Sequence, residues 1–213
     1  MLKLPEGQPR SAPVPPEMML QYLVVLAGTD PVVWRRIRIP ATYSFWDFHV
    51  AIQDAMGWLD CHLHEFRLMD PLSGTAMALG IPDPEGFGPP VVADWSEFPL
   101  DYTSGDRPPI QYNYDFGDDW DHSVIFEGFE QQEGGVARPE CTGGEGACPP
   151  EDCGGAHGYA ELLVALSDPT HPEHTDFMEW TGGPIDPKLF SANDVHFDDP
   201  KERWRFAFDD SAI

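Results

Sequence analysis

Between Tyr114 and His122 the chain reads Tyr-Asp-Phe-Gly-Asp-Asp-Trp-Asp-His, which sets four carboxylates and an imidazole inside an aromatic strand pattern. Like charges this close must be offset by an arginine, a cation or a proton, or be fully solvated, and that restricts the folds open to the chain. Ile110, Tyr112, Tyr114 and Phe116 share one parity; Trp120, His122, Val124 and Phe126 form a second such set. A three-residue loop at Gly117, Asp118 and Asp119 unites both sets on one face. That register pairs Phe116 with Trp120 and Tyr114 with His122, and it sets Asp115 opposite Asp121.

Three routes could neutralise the acidic end of this hairpin. Arg36 and Arg38 could reach it from a neighbouring hairpin. A divalent cation could bridge Asp115, Asp118, Asp119 or Asp121 through oxygen ligands. The cluster could also stand in water at a loop tip. His62 and His64, two residues apart on one strand face, raise a further choice. With His122 or an aspartate they would present a transition-metal or catalytic site; otherwise His64 and His122 are hydrogen-bonded histidines among aromatic rings.

Cys141, Cys148, Cys153 and His157 fall within a glycine- and cysteine-rich loop spanning 128–157. Four soft ligands in one loop could close a tetrahedral zinc site, although the spacing lacks the two-residue knuckle of a zinc ribbon. Free thiols and a redox disulfide are the other readings. Glu151 and Asp152 add negative charge between Cys148 and Cys153.

The 213 residues suit one domain with a substantial core, since 41% are hydrophobic and 12% aromatic. Twelve Lys and Arg against 37 Asp and Glu give a formal charge of −25. Nucleic-acid phosphate and anionic lipid recruit basic patches, so this charge argues against either as a direct partner. Such a surface suits high-salt solubility, a basic partner protein or divalent cations equally well. No stretch approaches the ~20 apolar residues of a membrane span. Residues 1–17 read as a flexible proline-rich arm, and the cysteines as thiols in a reducing cytoplasm. Glycine-rich phosphate loops, dinucleotide fingerprints and the Gly-x-Ser-x-Gly elbow are all missing.

Met18 to Ala27 and Val32 to Ile39 flank the turn Gly28-Thr29-Asp30-Pro31 and predict a hairpin. Ser44 and Asp47 form a variant capping box for a helix with Phe45, Phe48, Ile52, Ala55 and Met56 on one face, stopped by Gly57. A short strand carries His62, His64, Phe66 and Leu68 on one side. Residues 70–109 form an irregular excursion, either short elements or a mobile segment. Short helices follow at Ala160 to Leu166 and Pro172 to Trp180, with a single turn at Pro187 to Phe190. Trp204 to Phe208 reads as a strand or a docked tail. The sum is a single α+β domain over 18–208, its mixed or antiparallel sheet built from hairpins and packed by a few helices.

Val33-Trp34-Arg35-Arg36-Ile37, Ala55-Met56-Gly57-Trp58 with His62-Leu63-His64-Glu65-Phe66, the acidic hairpin, Cys148 to Gly155 with Gly158-Tyr159, Glu179-Trp180 and Asp186-Pro187 together resemble the plasmid pRiA4b ORF-3-like family. The resemblance implies an uncharacterised α+β domain of plasmids and mobile elements, some members carrying a resolvase-type label. It transfers no catalytic residue. The expected function is a non-catalytic binding or accessory module whose working surface joins the acidic hairpin to the cysteine loop. The alternatives are a metal-dependent hydrolase using His62, His64, His122 and nearby aspartates, and an acidic nucleic-acid mimic or partner of a basic mobile-element protein.

Overall fold

A computed structural model describes residues 13–83, 85–86, 90–104 and 108–208. The expected first hairpin forms from Met18–Leu26 (β1) and Trp34–Pro40 (β2). Ser44 caps Phe45–Met56 (α1) through the full reciprocal box with Asp47, and Gly57 ends it in the left-handed region at φ 93°. His64–Met69 (β3), Ala76–Gly80 (β4), Val92–Ala93 (β5), Ile110–Tyr114 (β6), Trp120–Gln131 (β7) and Glu140–Glu145 (β8) complete one eight-stranded sheet. Its order is β5-β4-β3-β6-β7-β1-β2-β8, antiparallel throughout except between β4 and β5.

One face of this sheet carries the core. Leu20, Tyr22, Val24, Ile37, Ile39, Phe66, Tyr112 and Trp120 bury beneath Phe45, Phe48 and Ile52 of α1, as strand and helix periodicities require. Gly155–Ser167 (α2) adds Tyr159 and Leu162 to the same cluster. His174–Trp180 (α3) follows it, and Pro200–Phe208 (α4) packs Trp204 edge-on against Trp46 of α1, with ring centroids 4.9 Å apart. The single α+β domain is therefore as expected. Among the described residues no helix is long and apolar enough to cross a membrane.

The acidic hairpin keeps its aromatic face but not its expected register. Tyr114 pairs with Trp120 and Tyr112 with His122, two residues from the expected pairing, and Asn113 rather than Asp115 stands opposite Asp121. The loop is thus five residues long, with Phe116 exposed outside the ladder. Two features explain the shift. Asp115 N–H donates to the Leu63 carbonyl, and Asp115 and Asp119 take left-handed φ of 55° and 57° so that Asp119 N–H closes back on the Asp115 carbonyl. Asn113 Nδ2 then donates to Asp119 and Asp121 at 2.7 and 2.9 Å, which replaces the carboxylate–carboxylate clash with two hydrogen bonds.

The 70–109 excursion resolves into β4, β5 and two 3-10 turns, Asp94–Ser96 and Pro99–Tyr102. The 128–157 segment is not all loop, because β8 lies at the sheet edge beside β2. Trp204 to Phe208 is helix, not strand, and docks as part of α4. Of the proline-rich arm, residues 1–12 fall outside the described residues. Farther along, Pro16 and Glu17 carbonyls accept from Ala137 and Gln132 N–H, and Val14 packs on the core.

Candidate functional site

The acidic hairpin and the cysteine loop meet at one end of the sheet, and the segment 57–63 closes the third side. Asp118 Oδ2 accepts from Gly154 N–H at 3.0 Å. Gly155, at φ 68°, lies so near the Asp118 carbonyl oxygen that a Cβ there would collide with it. His62 stands between the two loops. Its Nε2 is 3.2 Å from Asp152 Oδ1, 3.6 Å from Asp115 Oδ2 and 4.0 Å from Glu151 Oε2. That nitrogen is inaccessible to solvent and makes no aligned hydrogen bond with a described residue.

Two of these carboxylates are held in place, while the third, Asp152, is exposed. Asp115 is buried and its Oδ1 accepts from Gly117 N–H at 2.9 Å. Glu151 Oε1 accepts from Leu59 N–H at 2.8 Å and from Tyr114 Oη at 3.1 Å. Cys61 N–H in turn donates to Tyr114 Oη, so the phenol proton points to Glu151. Burial first, and the Glu151 charge next, push the Tyr114 phenol far above its ordinary range, which keeps it a donor. Asp60, Asp115 and Asp152 all sit at φ between 55° and 58°, so three turns around His62 use the left-handed conformation that aspartate tolerates.

The arginines go elsewhere. Strand alternation turns Arg36 and Arg38 to the open face, where Arg36 pairs bidentately with Glu127 at 2.7 and 2.9 Å and Arg38 lies 3.9 Å from both Glu130 and Glu140. Neither offsets the hairpin loop. Asp119 and Asp121 hold Asn113, and Asp118 holds Gly154, so the four aspartates do not share one cation.

The three histidines also separate. His64 Nε2 is 2.7 Å from Asp94 Oδ2 in the core. His122 is buried with Nδ1 on the Trp120 carbonyl at 2.9 Å and Trp58 edge-on to its ring. Desolvation holds its pKa down at about 4. The hydrolase arrangement of His62, His64 and His122 is not formed, because β3 and β7 point the latter two inward while His62 precedes the strand.

Nor does the cysteine loop close a soft-ligand quartet. Among the described residues, one group of three or more His, Cys, Asp or Glu ligand atoms lies within 4.8 Å: His62, Asp115 and Asp152. Cys141 is on β8, and exposed His157 faces Glu161 at 3.3 Å on α2. All four cysteines are free thiols. Burial raises Cys148 strongly and pushes Cys153 up to about 12.

Sequence reasoning missed Arg35, His49, Asp60 and Asp94. Arg35 is buried without a carboxylate; it donates to the carbonyls of Ala55, Trp34, Glu145 and Gly146 at 2.8–3.0 Å, and Phe190 covers its guanidinium at 3.7 Å. Its parity with Ile37 and Ile39 was the available signal. His49 lies on the apolar side of α1, where its buried neighbours Phe48 and Ile52 marked it.

A cleft of about 760 Å³ opens between the 57–59, 147–151 and 180–195 segments, and its wall includes Glu151, which lies 4.0 Å from His62. Leu59, Trp180 and Leu189 line it while 74%, 49% and 69% exposed, and Asp54, Glu151 and Asp194 stand along it.

Two known proteins are similar to this chain. "Uncharacterized protein y4hQ" of Sinorhizobium fredii (strain NBRC 101917 / NGR234) is 36% identical over 164 residues, which is 77% of this chain and 81% of that protein. A crystal structure of a protein of unknown function, MM3350 from Methanosarcina mazei Go1, superposes with a TM-score of 0.77 at 38% identity, over 85% of this chain and 99% of that one. The sequence model for plasmid pRiA4b ORF-3-like proteins matches residues 18–194. With a match over most of its length, the chain belongs to the plasmid pRiA4b ORF-3-like family.

Proposed function

We propose that the protein is a binding module that takes a basic, apolar segment of a partner protein into the cleft beside His62. One observation carries the reading: three large apolar side chains stand exposed in a single concave surface edged by carboxylates. Exposed apolar surface inside a polar rim marks an interaction site. The charge of −25 makes the complementary partner basic and speeds its encounter. The lock between Asp118 and the Gly154–Gly155 turn supports the same reading, because it fixes the cysteine loop, which supplies the 147–151 wall of the cleft, without a ligand.

A labelled amphipathic peptide of lysine and leucine, set against a glutamate–leucine peptide of equal length, tests this by fluorescence polarisation. The basic peptide alone is expected to bind, and Leu59→Ser or Trp180→Ala to weaken it by about tenfold, the loss of one buried apolar anchor. Glu161→Gln on α2 leaves it unchanged. Equal binding by the cleft variants and the wild type would reduce the effect to bulk charge and reject the cleft.

A further inference from the structure

We propose that His62, Asp115 and Asp152, with Glu151 beside them, bind one divalent transition-metal ion. Ligand spacing is the first argument. Nitrogen and oxygen ligands about 2.0–2.2 Å from a cation, at octahedral to tetrahedral angles, stand about 3–3.5 Å from one another. His62 Nε2 is 3.2 Å from Asp152 Oδ1 and 3.6 Å from Asp115 Oδ2, close to that spacing, with Glu151 Oε2 just beyond at 4.0 Å.

Hydrogen bonding is the second. His62 Nε2 is shielded from solvent and forms no aligned bond with any of the three carboxylates around it. Asp115, itself buried, uses Oδ1 for Gly117 N–H, and its Oδ2 receives no hydrogen bond from a described residue. An imidazole nitrogen and a carboxylate oxygen, neither hydrogen-bonded to a described residue, thus stand 3.6 Å apart.

Charge balance is the third. Three carboxylates around one imidazole leave a net charge of −2 even with the imidazole protonated; Asp152 faces solvent, but Asp115 and Glu151 are largely enclosed, and Arg36 and Arg38 are engaged on the open face. Two positive charges at the centre remove that repulsion. The supporting contacts have the form metal ligands take: Tyr114 Oη and Leu59 N–H orient Glu151, and Gly117 N–H orients Asp115. One imidazole with two or three carboxylates favours manganese or zinc over calcium, which takes oxygen ligands alone. This site stands apart from the cysteine quartet and from the three-histidine arrangement, neither of which forms.

Chelator-stripped protein dialysed against Mn²⁺ or Zn²⁺, with bound metal counted by mass spectrometry, tests the assignment. One ion per chain is expected, with affinity lowered by about tenfold or more in His62→Ala and Asp115→Asn. Cys148→Ser and His157→Ala are expected to bind as the wild type. Asp115 is buried, so a measurement on the unaltered protein accompanies its substitution: Mn²⁺ is expected to broaden the imidazole resonances of His62 before those of His157 and His171. Metal lost in Cys148→Ser, undiminished binding in His62→Ala, or broadening that spares His62 would each overturn the proposal. Peptide binding is measured separately in chelator, so failure of the cleft reading leaves this one standing, and the reverse.

Discussion

His49 and His64 lie ring on ring in the core, with centroids 3.5 Å apart and planes 10° from parallel. Each imidazole faces its own carboxylate, His49 Nε2 on Asp60 at 2.8 Å and His64 Nε2 on Asp94 at 2.7 Å. Gln53 Nε2 donates to Tyr112 Oη, the phenol proton points to His49 Nδ1, and His49 Nε2–H donates to Asp60. Desolvation and the stacked His64 hold the His49 pKa down, which keeps this chain of donors intact. Arg203 of α4 reaches Asp60 at 3.6 Å and Asp54 at 2.6 Å, so the network ties the C-terminal helix to the turn that carries His62.

Asp94→Ala is expected to cost about 2–4 kcal/mol, because it leaves His64 Nε2 buried without a partner and opens a cavity. Urea denaturation at pH 7 measures it. A loss below about 0.5 kcal/mol would mean that the pair contributes nothing net.

His122 predicts a pH dependence. Its folded pKa of about 4 lies below the ordinary 6.5, so between those values the unfolded chain binds the extra proton. Its contribution is fully present above pH 6.5 and is lost as pH falls toward 4. By linkage this amounts to ~2 kcal/mol less stability at pH 5 than at pH 7.5. Urea midpoints at the two pH values are expected to move together by that much less in His122→Phe than in the wild type.

Arg35→Lys is expected to destabilise by about 2–4 kcal/mol despite keeping the charge, since one ammonium cannot reach four carbonyls at once. The freed carbonyls of Glu145 and Gly146 lead into the cysteine loop. Faster proteolysis between 141 and 157 is the accompanying sign.

Gly155→Ala forces a Cβ onto the Asp118 carbonyl at a left-handed position and is expected to cost about 1–3 kcal/mol. The acidic hairpin and the cysteine loop would part there, close to the 147–151 wall of the cleft, so the affinity for the basic peptide should fall with it. Thermal melting and polarisation on the same sample read both effects; stability lost with peptide affinity retained would show that the lock is unimportant to binding.

Among the thiols, Cys61 alone is exposed. Burial raises Cys141, Cys148 and Cys153, and burial with the nearby Glu151 charge raises Cys61 as well, so access to the reagent decides which thiol reacts. An aromatic disulfide reagent at pH 8 is expected to modify one cysteine per native chain and all four after unfolding.

Local patterns made much of this readable. Ser44, Asp47 and Gly57 mark both ends of α1 because caps are chosen by backbone groups within a few residues. Period-two alternation placed Tyr112, Tyr114, Trp120 and His122 on one buried face, since a sheet with one covered side admits no other parity. The hairpin register was not readable, because parity is unchanged by a two-residue shift; the Leu63 carbonyl, far earlier in the chain, decides it by taking Asp115 N–H. The same limit hid Asp94, whose partner His64 is thirty positions earlier.

By itself the sequence determined the α+β class and the acidic balance of charge, both of which rest on composition and short-range periodicity. Only the tertiary structure decided which charges face one another. It sent Arg36 and Arg38 to the open face, buried His64 and His122 in the core, and left His62 among Asp115, Glu151 and Asp152. The physical reason is that electrostatic partners are set by distances across strands and loops, and those distances exist only after the hydrophobic core has fixed the register.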